Sequence, residues 1–431
     1  MSSRKRDRSG VPLQVCVVAV GDELLNGFVV NTNAAWLGQR MSQIGVQVNA
    51  GRIVADDEIA IAAAVREALT TSDAVIVTGG LGPTSDDRTR HALALLAEVE
   101  LVRDVRAESV LRERLEAQGR TASVQHLTQV DLPAGAAAIP NSAGTAPGIR
   151  MSIGDHVIYA VPGPPHEMRA VVDAGVVNDL VRRRRSFVLT YSLRTALIPE
   201  SEVAAMIAPL EVRHTGVRVA YLASPAEVVV RMTATGDDDA RVTALVDAAS
   251  EDAREVLGDA VVGEASQTLA QAVVGLMAAA GRTVAVAESL TGGAIAAAIT
   301  DVPGSSAMLK GGIVAYATEA KEDVLGVDVD LVALHGPVHP AVARAMAEAV
   351  RARFMCDYGI GTTGVAGPTE QNGKPVGTVH VAVAGPHHVV DVSLHLHGDR
   401  DTIRRQTVVQ ALDLLRRTVL GLPPRKGPSS D

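Results

Sequence analysis

Apolar runs and amphipathic stretches alternate along the first 80 residues of the chain. Residues 13–20 are apolar except for Gln14, so this run predicts a strand buried on both faces, and it ends at Gly21. The same alternation continues through predicted strands at 46–54 and 73–78, and through predicted helices at 31–45 and 57–69. Repeated βα units of this kind are typical of a parallel sheet covered by helices.

Two further changes of pattern divide the rest of the chain. Residues 149–153 and 156–161 flank Gly154-Asp155, which predicts a hairpin, and the basic run Arg182–Arg185 then ends a first domain. Short strands and helices follow to about Gly258. From Glu264 an Ala-rich helix leads to Gly281, and an apolar strand and a glycine-rich turn come next. We therefore predict an α/β chain of three domains, at residues 13–182, 186–260 and 264–420, with a disordered leader (1–12) and tail (421–431).

Composition limits the classes of protein to which this chain can belong. Hydrophobic residues make up 47% of the 431 residues, and aromatic residues only 2%. The two cysteines, Cys16 and Cys356, lie in apolar runs, so no disulfide framework or cysteine zinc site is expected and the compartment is predicted to be the reducing cytoplasm. No apolar run approaches the ~20 residues that cross a bilayer, so no membrane association is expected.

Charge argues against nucleic acid as a partner. The formal net charge is −9, and residues 186–260 contain six Arg, no Lys and twelve Asp or Glu. The middle domain also lacks the GxxG loop that clamps a nucleic-acid backbone.

The segment Thr78–Asp87 is the candidate site of the first domain. It follows a buried strand and precedes a predicted helix, a position where glycines let a phosphate approach backbone amides. Asp86 and Asp87 would repel that phosphate unless a cation lay between them, which indicates Mg²⁺ or a similar divalent metal. The alternative is that the glycines only form a turn and the aspartates only cap a helix.

Ser289 is the candidate nucleophile of the third domain. It follows a predicted buried strand and precedes Thr291-Gly292-Gly293, whose amides would face the oxyanion formed when a hydroxyl attacks an amide carbonyl. Serine needs a base, and Tyr316 and Lys321 lie together at a predicted strand-to-helix corner. A lysine acts as a base only when its pKa is lowered. The alternative gives Ser289 a capping role, Tyr316 a packing role and Lys321 a solvated side chain.

Several separated motifs in the first 180 residues resemble one family. They are Gly21–Leu25, Asn31–Asn33, Thr78–Asp87, Asn141–Gly148 and Val161–Met168, and together they are similar to the N-terminal domain of the CinA proteins, which is related to the molybdopterin-binding fold. The resemblance implies a metal-dependent ADP-ribose pyrophosphatase, followed by a KH-like middle domain. It implies that nucleotide or diphosphate is bound by Asn31, Asn33, Gly79, Gly80, Gly82, Thr84, Asn141, Gly144 and Thr145. It implies that Asp86, Asp87 and Glu167 organise the metal.

Residues 264–420 resemble the CinA C-terminal domain and its stand-alone relatives, the PncC amidases. The motifs are Ala287–Gly293, Asp301–Ser306, Tyr316–Lys321, Thr362–Pro368, Lys374–Thr378 and Gly398–Arg400. The resemblance implies conversion of nicotinamide mononucleotide to nicotinate mononucleotide and ammonia, without a cofactor. It implies Ser289 as nucleophile, Tyr316 and Lys321 as activating partners, and Thr291, Gly292, Gly293, Thr363 and Gly364 beside the substrate.

The prediction is therefore a bifunctional pyridine-nucleotide hydrolase that acts on nicotinamide mononucleotide and ADP-ribose. The family resemblance implies a homodimer. Two alternatives stay open: the first domain is a nucleotide- or pterin-binding module without turnover, or the protein is a competence or DNA-recombination accessory. His395 and His397 share a predicted strand face, but two histidines without a third ligand are a weak basis for a metal site.

Overall fold

The computed structural model describes residues 12–184 and 186–425. The predicted leader, apart from Pro12, lies outside the described residues, as do Arg185 and the last six positions of the predicted tail. The chain separates into two compact units. One contains residues up to 190 together with 233–246, and the other contains 191–232 together with the residues from 247 onward.

The first domain is built on a mixed sheet. Its strands are β1 Gln14–Val20, β2 Gln47–Val54, β3 Ala74–Thr78, β4 Leu101–Arg103, β5 Asp131–Pro133, β6 Ala137–Ile139, β7 Gly148–Ile153 and β8 His156–Val161. The sheet order is β2-β1-β3-β8-β7-β6, and β4 pairs separately with β5. Strands β2, β1, β3 and β8 are parallel. Strand β7 is antiparallel to both β8 and β6. The predicted parallel sheet is thus confirmed for four strands, and the predicted hairpin extends it.

Helices cover this sheet. They are α1 Asp22–Leu25, α2 Thr32–Gln43, α3 Glu58–Thr71, α4 Thr89–Ala97, α5 Val105–Ala117, α6 Val124–Thr128, α7 Pro165–Val171 and α8 Val177–Arg183. Helices α2, α3, α5 and α6 begin at side chains that cap the first turn. Asp57 accepts a hydrogen bond from the Ala60 amide at the start of α3. Strands β1 and β3 are almost wholly buried between two apolar clusters, which explains why their sequences read as continuous apolar runs.

The middle region has an α/β arrangement, as predicted. It contains β9 Phe187–Ala196, α9 Glu200–Arg213, β10 Val217–Ser224, β11 Glu227–Gly236, α10 Asp239–Leu257 and β12 Val261–Glu264. The strand order is β10-β11-β9-β12.

The third domain is a second mixed sheet. Its strands are β13 Val284–Glu288, β14 Leu309–Val314, β15 Tyr358–Gly364, β16 Thr378–Ala384 and β17 Val389–His395. Its helices are α11 Leu269–Ala279, α12 Ala294–Thr300, α13 Thr318–Asp323, α14 Val329–His335, α15 Pro340–Arg353 and α16 Arg400–Leu420. The strand order is β14-β13-β15-β16-β17. Strand β13 is parallel to both of its neighbours, and the remaining pairs are antiparallel.

Close packing of helix α15 on strand β15 depends on glycine. A Cβ on Gly361 would lie 2.2 Å from the Ala343 carbonyl oxygen, and a Cβ on Gly359 would lie 2.1 Å from that of Ala347. The helix backbone therefore rests directly on the strand that ends beside Ser289.

Two further findings concern the ends and surface of the fold. Residues 422–425 have contacts that the predicted disordered tail did not anticipate, because Arg417 Nε donates to the Pro423 carbonyl and Gln410 Nε2 donates to the Arg425 carbonyl. Among the helices in residues 12–184 and 186–425, none combines the length and apolar character needed to cross a bilayer.

Candidate functional site

Ser289 lies in a tight turn between β13 and α12. Its amide donates to the Thr362 carbonyl oxygen on β15 at 3.1 Å, which fixes the turn to the sheet. Gly292 and Gly293 follow with φ values of 61° and 93°, a left-handed region in which a side chain is strained. The strand, turn and helix predicted around Ser289 are confirmed, and the serine is nearly buried, at 8% exposure.

Lys321 is the group that the fold brings to Ser289. Its Nζ lies 3.2 Å from Ser289 Oγ and donates to the Ala315 carbonyl at 2.9 Å. The Tyr316 and Ala317 carbonyls each lie 3.4 Å away. The side chain is only 2% exposed. Burial lowers the pKa of Lys321 to about 8, against the opposing effect of Glu319. A fraction of this amine is therefore neutral near pH 7 and able to accept a proton.

The Glu288 carboxylate binds some of the backbone amides that follow Ser289 and leaves others unbound. The buried carboxylate accepts from the amides of Gly293 at 3.0 Å, Ile295 at 3.1 Å and Ala296 at 2.9 Å, and so caps helix α12. The Gly292 amide donates to the Ser289 carbonyl. Of the three residues predicted to supply amides here, Gly292 and Gly293 are thus engaged within the protein.

Two consecutive amides immediately after Ser289 remain available. Leu290 and Thr291 are buried, and within residues 12–184 and 186–425 their N–H groups have no hydrogen-bond acceptor. Unpaired buried amides are uncommon in folded proteins. Two such donors next to a serine form an arrangement suited to an oxyanion.

Thr363 and Gly364, also predicted beside the substrate, end strand β15 next to this turn. Thr363 is buried and its hydroxyl donates to the Pro337 carbonyl at 2.7 Å. A Cβ on Gly364 would lie 2.6 Å from the Thr378 carbonyl oxygen. Both residues therefore shape the wall of the site through their own packing.

Among the described residues, the Tyr316 phenol is hydrogen-bonded to Arg400 and not to Ser289 or Lys321. The residue is 59% exposed, and its hydroxyl accepts a hydrogen bond from Arg400 Nη2 at 2.7 Å. Arg400 Nη1 donates to the Gly367 carbonyl at 2.7 Å. Only the carbonyl of Tyr316 reaches Lys321. The structure thus adds Arg400, which was not predicted as a site residue. The available signal was Asp399, which caps α16 and fixes Arg400 in its first turn.

The glycine loop of the first domain holds one of the chain's own carboxylates. Asp87 Oδ1 accepts from the Gly82 amide at 2.7 Å, while Oδ2 accepts from the Thr84 amide at 2.9 Å and the Thr84 hydroxyl at 2.6 Å. A phosphate bound to these amides would have to displace Asp87.

Packing also explains the first two glycines of that loop. Gly79 and Gly80 have φ values of 108° and 68°. Their Cβ atoms would lie 2.5 Å from the Val20 carbonyl oxygen and 2.4 Å from Thr89 Oγ1. The Arg90 guanidinium donates to the Leu81 and Gly82 carbonyls of the loop. The tight turn that the sequence left as an alternative is therefore present.

Asn31 and Asn33 differ in the hydrogen bonding of their side-chain oxygens. Asn31 accepts from the Ala34 amide and caps α2. Asn33 Nδ2 donates to Thr78 Oγ1 at 3.0 Å and to the Gly163 carbonyl at 2.8 Å. Its Oδ1 is buried and has no hydrogen-bond partner among the described residues. A ligand hydroxyl or amine at this edge of the sheet would satisfy it.

The loop after β6 is held mainly by Asn141. Its Nδ2 donates to the Ala146 carbonyl at 2.8 Å and to Glu167 Oε2 at 2.7 Å, and its Oδ1 accepts from the Gly144 amide. A Cβ on Gly144 would lie 1.7 Å from Glu167 Oε2, so a larger residue there would displace the Glu167 side chain. Thr145 is half-buried in the same loop.

The predicted metal ligands do not form one cluster. Asp86 is exposed, Asp87 binds the glycine loop, and Glu167 binds Asn141. In the part of the chain that the structure describes, no three His, Cys, Asp or Glu residues are arranged to hold a metal ion. This donor set does not fit a divalent cation, so no step is assigned to one. His395 and His397 pack edge to face at 5.1 Å and likewise lack a third ligand.

Asp56 is an acidic residue near Asp22 and Asp86 in the first domain, and it was not among the predicted site residues. It follows β2, and its Oδ2 accepts from the Asp22 amide at 2.9 Å. Burial raises the pKa of Asp56, and the charges of Asp22, Glu23 and Asp86 raise it further. Its position after a parallel strand was the signal available in the sequence.

Comparison with protein families matches three consecutive segments. Residues 16–182 match the probable molybdopterin binding domain, residues 190–263 match the damage-inducible protein CinA KH domain, and residues 266–419 match the CinA C-terminal domain.

Relatives match over nearly the whole chain. A CinA-like protein of Frankia casuarinae is 48% identical over 94% of this chain and 96% of its own length. A CinA-like protein of Anaeromyxobacter sp. is 41% identical over 94% of this chain and 99% of its own length. Among solved structures, the protein CinA of Thermoplasma acidophilum is 36% identical, covers 39% of this chain and 98% of that chain, and has a TM-score of 0.37.

Proposed function

The chain belongs to the CinA family, and we propose that its third domain hydrolyses the carboxamide of nicotinamide mononucleotide to nicotinate mononucleotide and ammonia. The observation that carries this proposal is the 3.2 Å contact between Lys321 Nζ and Ser289 Oγ, in a site that lowers the pKa of the lysine to about 8. A serine with a buried lysine as its base is a recurrent solution to acyl transfer.

In the first step, neutral Lys321 accepts the Ser289 hydroxyl proton while Oγ attacks the carboxamide carbon. The Ala315 carbonyl fixes the amine, so its lone pair is directed at Oγ. The resulting oxyanion accepts hydrogen bonds from the Leu290 and Thr291 amides.

The intermediate then collapses to an acyl-serine. The C–N bond breaks, and the protonated Lys321 returns its proton to the departing nitrogen, which leaves as ammonia. Lys321 then takes a proton from water, the hydroxide attacks the acyl-serine, and the C–O bond to Ser289 breaks as Lys321 returns that proton to Oγ. The carboxylic acid product ionises to the carboxylate, and ammonia takes up its proton. Proton and electron-pair balance close without a cofactor.

Arg400 is assigned the phosphate end of the substrate. Its guanidinium is held by the Tyr316 hydroxyl and the Gly367 carbonyl, and the backbone of Tyr316 reaches Lys321. Arginine presents a planar fork suited to phosphate oxygens. Tyr316 in this proposal positions Arg400 and does not accept the proton of Ser289.

Ammonia release from nicotinamide mononucleotide by the full chain tests the proposal. We expect Ser289→Ala to reduce the rate by at least about a thousandfold. Ser266→Ala removes an exposed hydroxyl of the same domain, outside the motifs named above, and should leave the rate unchanged. Failure of the unaltered protein to release ammonia, or full activity of Ser289→Ala, would overturn it.

For the first domain we propose hydrolysis of ADP-ribose to AMP and ribose 5-phosphate, with Asn33 Oδ1 accepting from the nucleotide. A second candidate is nucleotide or pterin binding without turnover. It is favoured by the engagement of Asp87 with its own loop and by the separation of the three predicted metal ligands.

Product analysis separates the two candidates. Formation of AMP and ribose 5-phosphate, measured with and without added Mg²⁺, supports the hydrolase. Calorimetric binding of ADP-ribose with neither product supports the binding module. A cytoplasmic homodimer completes the proposal, and sedimentation of the purified chain checks its oligomeric state.

A further inference from the structure

A cavity apart from Ser289 opens in the second compact unit. It has a volume of about 460 Å³ and lies between helix α16, the start of α12 and the turn joining β10 to β11. Its lining includes Arg404, Arg405, Val408, Ala294 and Pro225. Volumes of roughly 300–1,000 Å³ are typical of small-molecule sites. The cavity is therefore large enough for a nucleotide-sized ligand.

The charges of the lining leave one guanidinium without a carboxylate. The two acidic residues of the lining each have an arginine, since Asp401 pairs with Arg405 and Glu227 pairs with Arg194 at 3.4 Å. Arg404 Nη2 donates to the Thr291 carbonyl, a neutral group, at 2.8 Å. Within the described residues no carboxylate bridges to Arg404, so its charge is available to an anionic ligand, although the two arginines and two carboxylates of the lining sum to zero.

The same cavity also offers apolar surface. Val408 and Val409 lie one helical turn beyond Arg404 and Arg405 on α16, and they are only partly buried. Pro225 closes the cavity from the hairpin turn. A cation next to apolar walls suits a ligand with an anionic group on a flat or apolar body.

We propose that this cavity binds a small phosphate-bearing molecule of about nucleoside monophosphate size. Its phosphate contacts the Arg404 guanidinium, and its body packs between Val408 and Pro225. The cavity adjoins the proposed amidase centre, since Arg404 also binds the Thr291 carbonyl, but its lining includes none of Ser289, Lys321 or Arg400. The proposal concerns binding and does not depend on the reaction assigned to Ser289.

Isothermal titration calorimetry of the full chain tests this site, with AMP, UMP and inorganic phosphate as separate probes. We expect at least one nucleoside monophosphate to bind, and more tightly than inorganic phosphate. Arg404→Gln, which removes the charge, and Val408→Phe, which fills the cavity, should each weaken that binding at least tenfold. Arg353→Gln, an exposed charge removed from the opposite face of the sheet, is the matched control and should change nothing.

Far-UV circular dichroism and thermal melting check each variant, and Ser224→Trp fills the cavity from the exposed hairpin end if Val408→Phe does not fold. Three results overturn the proposal. They are no binding of either nucleotide at millimolar concentration, binding of inorganic phosphate as tight as that of the nucleotides, and nucleotide binding that survives either the charge removal or the cavity filling.

Discussion

The two strand-end turns of this chain, at Gly79–Asp87 and at Ser289–Gly293, start from similar sequences and use their amides differently. In the first, Asp87 takes the Gly82 and Thr84 amides. In the second, Glu288 takes the amides of the helix start but leaves those of Leu290 and Thr291 without a partner. In the first turn the chain's own carboxylate holds two of the amides that a phosphate would approach, while the second turn leaves two amides directly after a serine free for a reacting group.

The ionisable groups of the first and third domains also differ in what they bind. Lys321 lies among neutral carbonyls and its pKa is lowered to about 8. The acidic groups of the first domain are mostly engaged in holding loops, as with Glu167 on Asn141. An ionisable group with a strongly perturbed pKa next to a nucleophile marks a candidate site. By this criterion the third domain is the stronger site.

The largest effect is expected from Lys321→Met. It removes the base and keeps a long apolar side chain in a buried position, so ammonia release should fall by roughly two to four orders of magnitude. Lys310→Met replaces an exposed lysine of the same domain and should keep the full rate. Wild-type turnover by Lys321→Met would show that the contact with Ser289 Oγ is structural, and the contrast between the two turns would fail.

Asp87→Ala tests whether the Gly79–Asp87 turn is held by its own carboxylate. It removes a carboxylate that accepts three hydrogen bonds and leaves two loop amides unpaired, so we expect the first domain to lose about 2 kcal/mol of stability. Urea unfolding measures the loss of stability, and hydrogen exchange of the loop amides measures the local opening. Asp86→Ala, at the exposed neighbour, is the control. If Asp87→Ala abolishes ADP-ribose hydrolysis while stability is unchanged, Asp87 is a catalytic group and the first turn is as reactive as the second.

The sequence predicted the strand, turn and helix around Ser289, because a buried apolar run followed by Thr-Gly-Gly permits few other structures. It did not predict which carboxylate would occupy each set of amides. Asp87 and Glu288 have the same chemistry as a bound anion, so residue type alone cannot distinguish a structural cap from a ligand site. Arg400 was missed for another reason: the Asp399 cap places it at the start of the last helix, but its contact with Tyr316 joins residues 84 positions apart and leaves no pattern in the sequence.

The pH dependence of ammonia release offers a sharper test of the lysine. The reactive form of Lys321 is neutral, and its pKa is lowered to about 8 by burial. The rate should therefore rise about tenfold per pH unit below that value and level off above it. The stability of the domain should also rise above pH 8, because the unfolded chain there binds more protons than the folded one. A rate that is constant between pH 6 and 9, measured with the stability of the enzyme verified at each pH, would exclude Lys321 as the titrating base.

The smallest expected effect comes from Glu319→Gln. The charge of Glu319 acts against burial by raising the pKa of Lys321, so its removal should move the inflection of the pH profile to lower pH and increase the rate at pH 7. Glu319 is exposed and screened by water, so the increase should stay below about threefold. Asp323→Asn, an exposed carboxylate on the same helix, should leave the inflection in place. A shift to higher pH would contradict the assignment, because no loss of negative charge near a lysine makes its ammonium harder to deprotonate.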